Sequence, residues 1–102
     1  MLVVTARVVS KPETRTCVRD ALLALEGPTR AETGCLDYTW FVAATEPDVF
    51  TTIERWDSAE ALEALEAHMA TPHVQEVLAA AGELVAEPPV ITSYDVASTT
   101  TR

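Results

Sequence analysis

Basic residues are scarce in this chain. Seven lysines and arginines stand against sixteen acidic residues over 102 positions, a formal net charge of −9. The seven are scattered, so the phosphate-neutralising surface that nucleic acid requires is missing and no nucleic-acid partner is expected. The acidic balance serves solubility instead. Cysteine is equally scarce: Cys17 and Cys35 are the only two and have no CxxC spacing. That excludes a disulfide scaffold and leaves buried free thiols as the expectation. No apolar run approaches the roughly 20 residues of a membrane span, so no membrane partner is expected. The opening MLVVTARVV lacks the charged start and small-residue cleavage site of a secretory signal and reads as a strand, which makes cytoplasmic the expected location. Low-complexity segments and linkers are also missing. What is present is an apolar fraction of 48%, ordinary for a folded chain. It is enough for one core, in a single domain over residues 1–96 followed by a frayed tail over 97–102.

Along the chain, residues 2–9 alternate with Leu2, Val4, Ala6 and Val8 on one apolar face and Thr5 and Arg7 on the other. Ser10 and Glu13 stand at capping-box spacing, and Pro12 suits a first helical turn. The helix that follows carries its stripe on Cys17, Val18, Ala21, Leu22 and Leu25. Gly27-Pro28 predicts a kink, or a stop followed by a short second piece to Glu32. After the turn at Thr33-Gly34, CLDYTWFVA (35–43) is a strand with Leu36, Tyr38, Trp40 and Val42 on one face. TEPD (45–48) reads as a hairpin loop. VFTTIERW (49–56) is a strand that sets Phe50, Thr52, Glu54 and Trp56 against Thr51, Ile53 and Arg55. Glu54 and Arg55 therefore oppose each other across the sheet, and whichever faces inward needs a partner. Ser58 is positioned to cap a helix through Met69, Thr71-Pro72 starts another, and VITSYDV (90–96) is the last strand.

The order β-α-β-β-α-β predicts an α+β, ferredoxin-like fold, one antiparallel sheet with helices on one face. Two helical layers cannot cover Tyr94, Val96, Ile53 and the aromatics of the second strand together. The uncovered sheet face is therefore expected to pack against a second copy as a homodimer.

Both histidines fall in EAHMATPHVQ (66–75). On the 3.6-residue period Leu62, Leu65 and Met69 form the core stripe of that helix. Glu60, Glu63 and Glu66 form its solvated face, and His68 lies in line with Ala61 and Ala64, with space in front of it. His73 falls in the first turn of the next helix and reads as a junction residue completing the cap. Histidines that share a metal from one helix stand three or four apart; here the spacing is five and a helix break intervenes. There is no third histidine, so no metal is expected. The remaining alternatives for His68 are a buried imidazole bonded to a carbonyl and a proton-handling group facing a pocket. Cys35 has no placeable basic neighbour and reads as an inert thiol.

Four stretches, RAETGCLDYTWF (30–41), FTTIERW (50–56), AHMATPH (67–73) and LVAEPPV (84–90), occur in the order in which they resemble the antibiotic biosynthesis monooxygenase family. The family includes quinol monooxygenases, and the resemblance runs over nearly the whole chain. It implies a dimeric α/β barrel with a pocket between sheet and helices. It also implies oxidation of a phenolic or quinol-type aromatic, expected to be polycyclic, by molecular oxygen without metal, flavin or haem. By the same resemblance His68 handles the phenolic proton, and Trp56 packs on the substrate ring and offers its indole donor. Tyr38 donates to a substrate oxygen, Trp40 lines the pocket, and Leu65 is the third substrate-binding residue. The alternative for Trp40 and Trp56 is a place in the core, and for Tyr38 and Tyr94 a place at an interface. ALEALEAH holds three residues more than the family spacing between tryptophan and histidine, about 300° of helix. His68 then either keeps its facing one turn further along, or the three residues are absorbed in the Trp56–Ser58 turn. The related haem-degrading branch uses Asn, Trp and His around haem. This chain has no asparagine; its His68 falls where that branch has tryptophan and Leu78 near where it has the haem ligand. Haem chemistry is not expected. Two other functions share the same pocket requirement: a non-catalytic dimer that binds a small aromatic ligand, and an isomerase or decarboxylase of the same superfamily.

Overall fold

The structure is a computed structural model that describes the chain except for residues 58–60 and the side chains of residues 61 and 62. The predicted cap at Ser58 and the predicted places of Glu60, Ala61 and Leu62 lie outside the described residues. The elements run β1 (Leu2–Val9), a 3₁₀ turn (Pro12–Thr14), α1 (Arg15–Leu23), α2 (Glu26–Arg30), β2 (Cys35–Ala43), β3 (Glu46–Trp56), α3 (Ala61–Met69), α4 (Pro72–Leu84) and β4 (Val90–Asp95). The four strands form one sheet in the order β2-β3-β1-β4, each neighbour antiparallel. This is the ferredoxin-like arrangement read from the sequence. None of the described helices is long and apolar enough to cross a membrane.

β1 and β3 hold the centre of the sheet, and their alternation decides what the helices cover. Val4 and Val8 of β1, and Phe50, Thr52, Glu54 and Trp56 of β3, are all buried on the helical side. Val8, Phe50 and Tyr38 pack with Val18, Leu22, Leu25 and Val74, while Val4 and Trp56 pack with Ala64. The opposite face stays open. Phe41, Ile53, Val90 and Tyr94 alternate with inward residues and are each about half exposed. Of the aromatics of β2, Tyr38 and Trp40 turn inward, so only Phe41 belongs to the uncovered face.

Several sequence expectations are corrected. Ser10 does not cap a helix. It is buried, bridges to Val85 and donates to Asp48, whereas Thr14 bonds the Lys11 amide and donates to the Leu84 carbonyl at the end of α4. Cys17 is exposed, because the buried line of α1 is the narrower pair Val18 and Leu22, and Cys17 stands one residue, about 100°, to the side of Val18. The helical break falls at Ala24-Leu25, ahead of Gly27-Pro28, which α2 takes into its own first turn, where an N–H is not missed. The hairpin is tighter than TEPD: β3 already begins at Glu46, and Ala44-Thr45 make the turn. In β2 a bulge between Cys35 and Asp37 gives the inward place to Cys35 and leaves Leu36 exposed. Val42 is exposed too, at the hairpin end of an edge strand beside a second bulge.

Candidate functional site

A cavity of about 90 Å³ lies between the inward sheet face and the helices, walled by apolar side chains such as Val18, Leu22, Met69, Val77 and Leu84. Four residues with polar atoms join that lining: Tyr38, Trp40, Glu54 and His68. Leu65 lines it as well. Four of the five residues singled out by sequence therefore meet at one place. Trp56 does not. It is fully buried but outside the lining, and its indole N–H is already donated to Glu54 Oε1 at 3.1 Å. Its ring lies 5.3 Å from that of His68. Trp56 is a support for the imidazole; it does not contact the cavity.

His68 reaches the cavity from the last turn of α3, buried to 4% exposure, with the Tyr38 ring edge-on at 5.6 Å. Behind it stands a group that sequence reading missed. Glu32 Oε2 lies 2.8 Å from His68 Nδ1 and 2.9 Å from His73 Nε2. In its ionised form a carboxylate only accepts, so both ring nitrogens facing it carry protons. For neutral His68 this assigns the Nδ1–H tautomer and leaves the Nε2 lone pair as its basic site. His73 is thus more than a junction residue. Thr71 stands at the N-cap position of α4 but donates its hydroxyl backward to the His68 carbonyl in the last turn of α3 at 2.7 Å, and the turn through Thr71-Pro72 brings the two rings to 6.2 Å. The helix break that argued against a shared role is what brings them together.

Glu32 owes its position to the turn that follows it. Gly34 has φ +86°, and a Cβ there would stand 2.7 Å from the Ala64 Cβ. Only glycine lets this turn press against α3 one helical turn before His68. No signal in the sequence marks Glu32, which lies 36 positions from its partner among sixteen acidic residues.

Glu54 is the second missed residue. It is the inward member of the Glu54/Arg55 pair and finds the partners that burial demands: Thr52 Oγ1 donates to Oε2 at 2.7 Å and Trp56 to Oε1. Thr52 is itself held by the Ala6 amide at 2.7 Å, which fixes the direction of that hydroxyl. Burial nonetheless pushes the Glu54 carboxyl above its ordinary pKa, against the pull of those two donors and of His68. The Tyr38 phenol is pushed up as well, first by burial and then by Glu54. It stays protonated and accepts from the Trp40 indole at 3.1 Å. Burial and the neighbouring Glu32 and Glu54 also raise the Cys35 thiol, which makes it a poor nucleophile.

The site is therefore a small apolar-walled space whose lining includes one imidazole, one buried carboxyl and one protonated phenol. A chain of this kind has known counterparts. The family model described as antibiotic biosynthesis monooxygenase matches residues 1–80. Rv0793 of Mycobacterium tuberculosis, which carries a provisional monooxygenase name, is 35% identical over 89 residues, 87% of this chain and 84% of that protein. Its solved structure superposes with a TM-score of 0.87 over 98% of both chains. A Deinococcus radiodurans structure provisionally described as an antibiotic biosynthesis monooxygenase gives a TM-score of 0.90 at 27% identity, covering 100% of this chain and 98% of that one. The uncharacterised Synechocystis protein sll1783 is 34% identical over 74 residues, 72% of this chain. The chain spans only about half of that relative, 48% of its length.

Proposed function

Since the chain belongs to the antibiotic biosynthesis monooxygenase family, we propose that it is a cofactor-independent monooxygenase that oxidises a phenolic or quinol-type aromatic with molecular oxygen. The observation that carries this reading is the imidazole of His68 on the wall of an apolar cavity with its Nδ1 2.8 Å from Glu32 Oε2; a proton on Nδ1 leaves Nε2 as the nitrogen that can accept one.

His68 Nε2 takes the phenolic proton. The phenolate, electron-rich and held away from water, passes one electron to oxygen, and the radical and superoxide recombine at a ring carbon. The proton returns from His68 to the peroxide. The base then removes the ring hydrogen at that carbon, the O–O bond breaks and water leaves. A phenol and one oxygen molecule have become a quinone and one water. The Tyr38 hydroxyl, which accepts from Trp40, has its own proton for the developing oxyanion. Apolar walls favour charge transfer between bound partners by excluding water.

Size narrows the substrate. A cavity of about 90 Å³ is smaller than the roughly 150 Å³ apolar cavity that takes up benzene in an engineered protein. A single ring fits with modest side-chain movement, and a fused ring system has to open the mouth. The same reading includes a homodimer built on the open sheet face, supported by the exposure of Phe41, Ile53, Val90 and Tyr94.

The test is oxygen uptake with a panel of hydroquinones, substituted phenols and naphthols. Turnover of single-ring members, reduced about 10²–10⁴-fold by His68→Gln, is the expected result. Tight binding without oxygen uptake would replace the oxygenase with a non-catalytic aromatic-binding protein. Proton exchange or decarboxylation without oxygen uptake would replace it with the isomerase or decarboxylase.

A further inference from the structure

We propose that Glu32, His68 and His73 form a binding site for a divalent cation of the zinc class, behind His68 and outside the cavity lining. The Nδ1 of His68, the Nε2 of His73 and a carboxylate oxygen of Glu32 all lie within 4.8 Å of one another. Two imidazoles and a carboxylate are the donor set of an open zinc centre, in which three protein ligands leave the fourth position to water. Imidazole nitrogen favours zinc and its transition-metal neighbours over magnesium and calcium.

The carboxylate oxygen needs little adjustment, while the two nitrogens, within 4.8 Å of each other, close toward a shared ion by rotation of the His73 ring. Bonds to zinc of about 2.0–2.2 Å set tetrahedral ligand atoms about 3.3–3.6 Å apart. Here the carboxylate oxygen is 2.8 and 2.9 Å from the two nitrogens. An outward shift of roughly half an ångström, within reach of a glutamate side chain, exchanges two hydrogen bonds for three metal bonds. The protons on the two nitrogens need not leave the protein, since a neutral imidazole can carry its proton on the other ring nitrogen. The three ligands come from separate segments that the fold has already fixed: the turn ahead of Gly34, the end of α3, and the start of α4 after Thr71. Among the three ligands, access is from the His73 side. The side chains of His73 and Glu32 are 25% and 15% exposed, against 5% for His68. An ion enters past His73, drawn by the chain's net charge of −9.

Such a cation and the proposed base exclude each other. A metal on Nδ1 puts the ring proton of His68 on Nε2, so the occupied site acts as a brake on proton removal. The binding test does not depend on turnover, and failure of the oxygenase reading leaves it standing.

Zn²⁺ is titrated into the tag-free full chain by calorimetry, while the ring resonances of both histidines are followed by NMR, with Mg²⁺ as the comparison ion. One zinc per chain, displacement of both ring signals, and loss of affinity of more than about tenfold in each of His73→Ala and Glu32→Gln support the site. An absence of heat and of ring shifts overturns it. So does zinc binding that the variants leave unchanged, or binding that Mg²⁺ matches, either of which places the ion on the acidic surface. If His73→Ala fails to fold by circular dichroism, the wild-type ring shifts and Glu32→Gln decide the question.

Discussion

Gly34 lies so close beneath Ala64 that a methyl group added to it would meet the Ala64 Cβ at 2.7 Å. The contact is small but sits at the root of the site, because it presses the Glu32 turn against α3 beside His68. Gly34→Ala introduces both the clash and a side chain at φ +86°. The expected loss is about 2 kcal/mol, a fall of roughly 8–16 °C in Tm for a chain of this size. Thermal unfolding followed by circular dichroism measures it. A Tm within a degree or two of wild type would mean that the turn relaxes freely and does not set the position of Glu32.

Glu32 holds His68 in one tautomer, and Glu32→Gln tests this with little change of shape. The amide has a carbonyl oxygen and an NH₂ group, so it can face Nδ1 either way round, and the charge that favours Nδ1–H is gone. Nitrogen chemical shifts of the His68 ring should report a single Nδ1–H form in the wild type and a mixture in the variant. On the proposed reaction, kcat/KM falls about 10–100-fold, less than the loss from His68→Gln, because the base is misdirected and not removed. An unchanged tautomer would reduce Glu32 to a packing contact.

The sequence carried the fold further than it carried the site, and the physical reason differs between the two. Strand alternation is local, so Phe50, Thr52, Glu54 and Trp56 could be read as one face, and all four are buried. The position of His68 beside alanines on α3 is local too, and it reaches the cavity. Leu36 could not be read correctly, since the bulge that displaces it depends on pairing with β3. Glu32 and His73 depend on tertiary placement: one needs the approach of Gly34 to Ala64, the other the turn at Thr71-Pro72. The sequence put Glu54 and Arg55 on opposite faces and required partners for the inward one, without saying which of the two that is; the structure turns Glu54 inward. That those partners are Thr52 and Trp56 follows from strand period, since all three share a face.

Glu54 gives the folded chain a pH signature. Burial raises its pKa above the ordinary 4.5. The native state therefore holds this proton more tightly than the unfolded chain does. The stabilisation is fully present below the unfolded pKa and is lost as pH rises through the folded one. Urea unfolding of wild type and Glu54→Gln at several pH values between about 4 and 7 isolates the effect. The stability of the wild type relative to the variant should decline across that window. Parallel curves would show that Thr52 and Trp56 fully offset the burial of the carboxylate.

The open sheet face makes the last prediction. Ile53, Phe41 and Tyr94 are 48%, 49% and 52% exposed and lie on the side away from the helices. Around them the same face carries polar groups that already have partners, such as Arg55 with Asp37 at 3.5 Å. An apolar centre beside satisfied charges is the composition of a protein interface, with a dry middle and a wet rim. In the proposed dimer a single charge in that centre is buried without a partner, which is strongly destabilising to the assembly. The free protomer is hardly affected, because Ile53 already meets solvent there. Sedimentation should find the wild type at twice the chain mass of 11.0 kDa, and Ile53→Glu or Phe41→Glu at the single mass with the helical and sheet signature intact. Full exposure of this face in solution, seen as a folded wild-type monomer at concentrations of tens of micromolar, would leave the apolar patch without a second copy and remove the dimer from the proposed function.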